Sequence, residues 1–269
     1  METTDRLSEI AVGHDHPAFK LLLSCPSGLS PSEVSAVFDQ TYDRIPHPDV
    51  TLENSISEIW DKRVQKNPSL YNGLKFRIID DWRRCQHTSN PLGNGAIVET
   101  SDQEIVVLQR STNVGEFPRH FVFPGGHPEP QEVGITSHHT SGELTHQMVN
   151  RKVSQEMFDS IIREVVEEIG VPATALSKPV FIGISQRVLN VRPTAFFFIK
   201  CSLQSKEIQQ LYGSAQDGYE STQLYTMSMV CVQITVDLIN WVKKSNSGQL
   251  LIRCLALELL LLEITIFQE

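Results

Sequence analysis

This chain has no basic run, no CxxC pair and no secretory signal core, and each absence removes a class of function. Its 23 Lys and Arg stand against 32 Asp and Glu, a formal net charge of −9 over 269 residues. Nucleic-acid binders concentrate positive charge on one face, so nucleic acid is excluded as a partner. The five cysteines, at 25, 85, 201, 231 and 254, are scattered and odd in number, without metal-ligand spacing. They read as reduced thiols of an intracellular, cytoplasmic protein. Residues 1–16 are polar and acidic, with no apolar signal core, and read as a disordered leader. The longest apolar run, Leu250–Phe267, is broken by Arg253, Glu258 and Glu263, which scatter charge around a helix. That pattern argues against a membrane span, and no protein partner is indicated.

What is present is an alternation of strand-like and helix-like stretches, which predicts an α/β fold. Ala18–Cys25 is an apolar run stopped by Pro26-Ser27-Gly28, hence a strand. Ser30-Pro31-Ser32-Glu33 has a helix start's proline and first-turn acid. Leu52–Gln65 carries Ile56, Ile59, Trp60 and Val64 at helical spacing, and Lys75–Ile79 reads as a short strand. Together these predict a small α+β subdomain of βααβ order over 17–90. Gly95–Glu99 and Glu104–Arg110 predict a hairpin in a core spanning 91–230. Later strands are expected at Pro179–Gln186, Thr194–Ser202 and Gln223–Gln233, with a turn at Arg187–Pro193 and a helix at Ser205–Tyr212. Residues 231–269 form a divergent apolar tail that must be buried or drive association.

The densest chemistry lies between Phe123 and Val171. Glu164, Glu167 and Glu168 are spaced i, i+3, i+4, so on a helix they share a flank with Ser160. Phe158, Ile161, Ile162, Val165, Val166 and Ile169 fall on the other side. Ser154 is the expected N-cap, and Gly170 followed by Pro172 the stop. Crowded carboxylates are either a solvated helix face or a site for a hard cation such as Mg²⁺ or Mn²⁺. Upstream, the apolar run Phe121-Val122-Phe123 enters a tight turn at Gly125-Gly126, where backbone can approach a phosphate or metal. Between the two stretches, an insert over 133–155 carries His138, His139 and His146 in a Ser/Thr-rich setting that does not suit zinc.

Gly126, Glu132, Arg163, Glu164, Glu167, Glu168 and Gly170 together resemble the signature box of the Nudix hydrolases. The box is split here, because residues 133–162 separate its two halves. The turn Pro124-Gly125-Gly126-His127-Pro128-Glu129-Pro130 is similar to that of the branch cleaving UDP-glucose and UDP-galactose. The resemblance runs from about Lys20 to Thr226.

The resemblance implies a mixed sheet sandwiched between helices and Mg²⁺-dependent hydrolysis of a nucleotide sugar to UMP and a sugar 1-phosphate. It further implies metal ligation by Glu164, Glu168 and Glu167 with the Gly126 carbonyl. Arg163 would orient the glutamates. Arg110, His127 and Glu129 would meet the diphosphate or uridine, and Tyr71 would either stack on the base or cover the core edge. ADP-ribose, NADH or coenzyme A as substrate, or a non-catalytic binding module of the same fold, are the alternatives.

Overall fold

The structure, a computed structural model, describes residues 19–67, 70, 73–78, 86–112, 114, 117–136, 146–188, 190–215 and 221–228. In chain order these form β1 (Phe19–Leu29), α1 (Val50–Lys66), β2 (Gly93–Glu99), β3 (Glu104–Arg110), β4 (Phe121–Val122), α2 (His146–Ile169), β5 (Val180–Arg187), β6 (Arg192–Lys200), α3 (Ser205–Tyr212) and β7 (Ser221–Ser228). The strands make one mixed seven-stranded sheet in the order β1-β5-β6-β2-β3-β4, with β7 added against β3. The α/β expectation is met. Within this sheet β2 and β6 are the parallel pair, aligned from Gly93–Thr194 to Glu99–Lys200. Parallel neighbours are covered on both faces and read as continuous apolar runs. Ala96, Ile97 and Val98 beside Phe196 and Phe197 fit that rule, all of them buried.

The space for a site opens where β2 and β3 part. The two strands share the pair Glu99–Ile105 and then diverge. β4 takes the vacated edge of β3 at Leu108 and Gln109. The chain leaving β4 then turns onto β2, where Asn94 N–H donates to Gly126 O (2.9 Å) and Ala96 N–H to Pro124 O (2.7 Å). The Pro-Gly-Gly segment is therefore a wedge whose backbone is satisfied by strand-like bonds along one side.

α2 and α3 lie on one sheet face. Phe158, Ile161, Val165 and Ile169 of α2 and Ile208 of α3 pack with Ala96, Val98, Val106, Leu108, Phe197 and Ile199. Fully burying each such side chain contributes about 1.5–3 kcal/mol. Strand alternation sends Ile97, Ile105, Val107, Ile182 and Phe196 to the opposite face, where Phe121 and Phe123 join them. α2 ends as expected: Gly170 has φ +76, and a Cβ there would lie 2.7 Å from Leu211 O.

Several local expectations are corrected. The βααβ order does not form, because β1 joins the main sheet, antiparallel to β5 from Phe19–Arg187 to Leu29–Phe181. Ser30–Glu33 closes as a turn instead of a helix, with Ser30 N–H and Oγ both donating to Glu33 Oε2 at 2.8 and 2.6 Å. Within 75–78 the pairing is one bridge, Arg77–Pro91. α2 starts at His146 rather than at Ser154. Ser154 sits mid-helix, donating to Asn150 O (2.8 Å) and accepting from Ala36 N–H (2.7 Å). Val149 and Val153, in the early turns of α2, pack with Phe76, Val133 and Ile135, so part of the expected insert is helical. Tyr71, His138, His139 and the tail 231–269 lie outside the described residues. No helix among the described residues is long and apolar enough to cross a membrane.

Candidate active site

One stripe of α2 receives the glycine turn. Glu156, Ser160, Glu164 and Glu168 are spaced four apart, so they stack along one flank of the helix. Gly125 N–H donates to Glu168 Oε2 at 2.7 Å, His127 N–H to Glu164 Oε1 at 3.1 Å, and Glu129 N–H to Glu156 Oε1 at 3.0 Å. Ser160 acts through Asn94: Asn94 Nδ2 donates to Ser160 Oγ (2.7 Å), and Asn94 Oδ1 accepts from Gly126 N–H (2.9 Å). Asn94 and Gly126 thus bond each other twice, since the Asn94 N–H also donates to the Gly126 carbonyl. These bonds to carboxylates are charge-assisted and hold the turn against the helix. Asn94, Glu156, Ser160 and Glu168 are buried, whereas Glu164 and Glu167 are half-buried.

Arg163 pairs with Glu156, at the start of the same glutamate stripe. Its Nη2 lies 2.6 Å from Glu156 Oε1, and its Nη1 3.3 Å from Glu156 Oε2. Glu156 is buried, and its hydrogen bonds hold the guanidinium all the more firmly protonated. Arg163 therefore acts on the loop through Glu156 and the Glu129 amide. Glu129 itself carries an ion pair with Lys75 at 3.2 Å. Glu132, matched to the first glutamate of the box, lies exposed in a short 3₁₀ turn over Pro130–Val133. Glu156 is the hydrogen-bond partner of Arg163, and the Glu132 charge also favours the protonated guanidinium.

On the other side of the turn lies a cleft of about 210 Å³. Arg110, Arg187, Arg192, His120 and His127 line it, together with Phe19 and Phe196. Gly125 and Gly126 also face the cleft, so the loop stands between it and the glutamates. Burial pushes the His127 imidazole down to about 4, helped by the charges of Lys75, Arg192 and Arg110 and opposed by Glu129. The ring is therefore neutral near neutral pH.

No family model matches the chain. It is 52% identical over 258 residues to Nudix hydrolase 9 of Arabidopsis thaliana, covering 78% of this chain and 83% of that one. The chain belongs to the Nudix hydrolase family. It is also 32% identical over 257 residues to the Bos taurus protein named uridine diphosphate glucose pyrophosphatase NUDT22, covering 77% and 85%. The Homo sapiens protein of the same name is 28% identical over 281 residues, covering 87% and 90%. A solved Ap4A hydrolase complex from C. elegans aligns at 13% identity with a TM-score of 0.32, over 65% and 97% of the two chains. That last likeness is too loose to carry an argument.

As a Nudix hydrolase the chain acts on diphosphate bonds, and members of the family generally use a divalent metal, typically Mg²⁺. The residues present fit a hard cation in kind. Glu164, Glu167, Glu168 and the Gly126 carbonyl offer oxygen alone. Gly126 is also required for the close approach, because a Cβ there would fall on the Glu164 carboxylate. Their grouping is looser: no cluster of three His, Cys, Asp or Glu side chains is gathered as a metal cage among the described residues.

Of the residues expected to hold metal or meet substrate, the turn with Gly126 and His127 lies against Glu164 and Glu168, while Glu129 meets Glu156 and Lys75. Arg110, expected to meet the diphosphate, lines the cleft. Asn94, Glu156, Arg187 and Arg192 were missed. Glu156 had a usable signal, since it continues the four-residue stripe of Ser160, Glu164 and Glu168. The other three depend on strand register, which spacing along the chain does not reveal.

Proposed function

We propose that this Nudix hydrolase cleaves UDP-sugars, UDP-glucose or UDP-galactose, to UMP and a sugar 1-phosphate with a divalent metal, Mg²⁺ or Mn²⁺. The observation that carries the reading is the docking of the turn Gly125–His127 onto Glu164 and Glu168, which brings two carboxylates and the Gly126 peptide to one place. The names of the two NUDT22 relatives support the choice of substrate. Glu164 and Glu168, with Glu167 and the Gly126 carbonyl, would hold the metal. Once bound, it would neutralise the diphosphate and lower the pKa of an attacking water.

The chain's own residues supply the rest. Glu168 and Glu164 fix the turn through the Gly125 and His127 amides. Arg163 and Glu156 fix its far end through the Glu129 amide. Glu167 holds none of these amides and is the ridge member suited to take the proton from water. Water adds to phosphorus, the bridging P–O bond breaks, and the two monoesters leave, with two protons released above their second pKa of about 6.

A substrate panel with Mg²⁺ and a coupled phosphatase tests this. UDP-glucose or UDP-galactose should exceed ADP-ribose, NADH and coenzyme A in kcat/KM, because a site built to hydrogen-bond uracil rejects a purine. Equal or faster cleavage of ADP-ribose would reassign the substrate. Absence of turnover on the whole panel would favour a binding module.

A further inference from the structure

The turn that docks on the glutamates has a hollow at each end. His127 lines the cleft described above, and Pro130 lines a second hollow of about 110 Å³. Three residues of chain span at most about 11 Å, so the wall at Pro130 stands close to the ridge that holds the His127 amide. Lys75 also lines the hollow and pairs with Glu129 at 3.2 Å, which ties it to the turn. Phe38 and Phe76 supply its apolar wall, their rings edge to face with centroids 6.0 Å apart. α2 holds both of them. Phe38 N–H donates to Asn150 Oδ1 at 2.8 Å, and Phe76 packs with Val149 and Val153. Asp39, Tyr42 and Asp43 complete the lining with groups able to hydrogen-bond.

We infer that this hollow is the subsite for the sugar carried on the distal phosphate of the substrate. The assignment rests on the proposed UDP-sugar reading and deepens it. Such a substrate puts one group on each side of its diphosphate, and the turn has one hollow at each end. The cleft at His127 holds about 210 Å³ and the hollow at Pro130 about 110 Å³. A nucleoside, base plus pentose, is bulkier than a hexose, so the smaller space suits the sugar. The donor balance agrees. Ionised carboxylates only accept hydrogen bonds, and a hexose offers several hydroxyl donors where uracil offers one ring N–H. Asp39 Oδ1 accepts from the Thr41 amide at 2.8 Å, and a carboxylate has about four acceptor positions in all. Two acids, Asp39 and Asp43, stand against two cations, Lys75 and Arg77. That balance favours an uncharged polyol over a second anion. The apolar face of a pyranose packs on the phenylalanine wall while its hydroxyls reach the polar groups. Asp39, Tyr42 and Asp43 therefore set the preference between epimeric sugars, which differ in the direction of one hydroxyl.

Binding titrations of the full chain with Ca²⁺ in place of Mg²⁺, an ion that also takes oxygen ligands, test the subsite. UDP-glucose should bind at least about ten-fold more tightly than UDP, a difference of about 1.4 kcal/mol. Asp39→Asn combined with Asp43→Asn should remove most of that difference and bind UDP no more weakly than wild type. Asparagine keeps an acceptor for the Thr41 amide, so the fold should persist. If the double variant fails to fold, Tyr42→Phe takes its place and should narrow the same difference. UDP binding as tightly as UDP-glucose, or a folded variant that keeps the wild-type difference, would overturn the subsite. UDP-glucose bound through Asp39 and Asp43 but never cleaved in Mg²⁺ would sink the substrate reading alone. Should ADP-ribose be the substrate instead, comparing it with ADP in the same variants decides the subsite, because its terminal ribose is again a sugar on the distal phosphate.

Discussion

Arg163 closes its ion pair on Glu156, one stripe of α2 folding back on itself, and leaves Glu132 exposed on the surface. The pair sits under the turn, so its loss reaches the loop through the Glu129 amide.

Glu156→Ala should lower stability by about 1–3 kcal/mol, because it strands a guanidinium and a backbone donor at once. Glu132→Ala should stay within about 0.5 kcal/mol of wild type, as exposed substitutions do. Denaturant unfolding of the two variants checks this. Equal losses would show that Glu132 contributes as much to the fold as the buried Glu156.

At the ridge, Glu164→Gln and Glu168→Gln should each reduce Mg²⁺-dependent turnover about 100-fold or more. The amide oxygen can still accept from His127 or Gly125, so the fold should persist. Gly126→Ala should be as damaging, since its methyl would displace the Glu164 carboxylate. Near-normal rates in Glu164→Gln or Glu168→Gln would reduce the ridge to a structural brace for the turn. An intact Gly126→Ala enzyme would show that the close packing is dispensable.

Acid should release α1 before it opens the sheet. α1 has no buried residue, and its Glu53 carboxylate ties it to the segment before it. That carboxylate accepts from Arg44 Nη1 (2.8 Å) and from the His47 amide (2.9 Å). Hydrogen bonding from Arg44 holds Glu53 down to about 2, from an ordinary 4.5. A carboxylate depressed on folding contributes fully above its unfolded pKa and loses that contribution as pH falls through the folded one. The window is therefore pH 4.5 to about 2. Amide hydrogen exchange should rise in α1 across this window while β2 and β6 remain protected. Synchronous exchange of all three would contradict it.

How much of this could be read along the chain depended on whether the cause was local. α3 matched its predicted span because its cap is self-contained: Gln204 N–H bonds Glu207 Oε2 at 2.8 Å. The glutamate flank of α2 was legible from spacing, and Gly170 marked its end. The start of α2 was not legible, because Ser154 is a good capping residue by type, yet it spends its hydroxyl on Asn150 and Ala36. Arg187 and Arg192 looked like part of a turn until β5 and β6 fixed their register. The partner of β1 is β5, far away in sequence, and no periodicity in either strand names the other.

Asn94 offers the sharpest separation of positioning from stability. Its side chain joins Ser160 on α2 to the Gly126 amide, while its own N–H holds the Gly126 carbonyl. Asn94→Ala leaves Ser160 Oγ and the Gly126 N–H without that partner, which should cost about 1–3 kcal/mol. Ser160→Ala removes one end alone and should cost less. If the chain from Ser160 through Asn94 to Gly126 acts as a unit, the double variant should lose less than the two singles combined, by about 0.5 kcal/mol or more. Function should respond differently from stability. The freed Gly126 peptide should lower kcat about ten-fold in Asn94→Ala, with KM for UDP-glucose little changed, as expected of a residue that positions Gly126. Asn94→Asp keeps the acceptor for Gly126 but sets a charge among Glu164 and Glu168, so it should not rescue kcat. Strictly additive stability losses together with an unaltered kcat would make Asn94 a packing residue and remove it from the site.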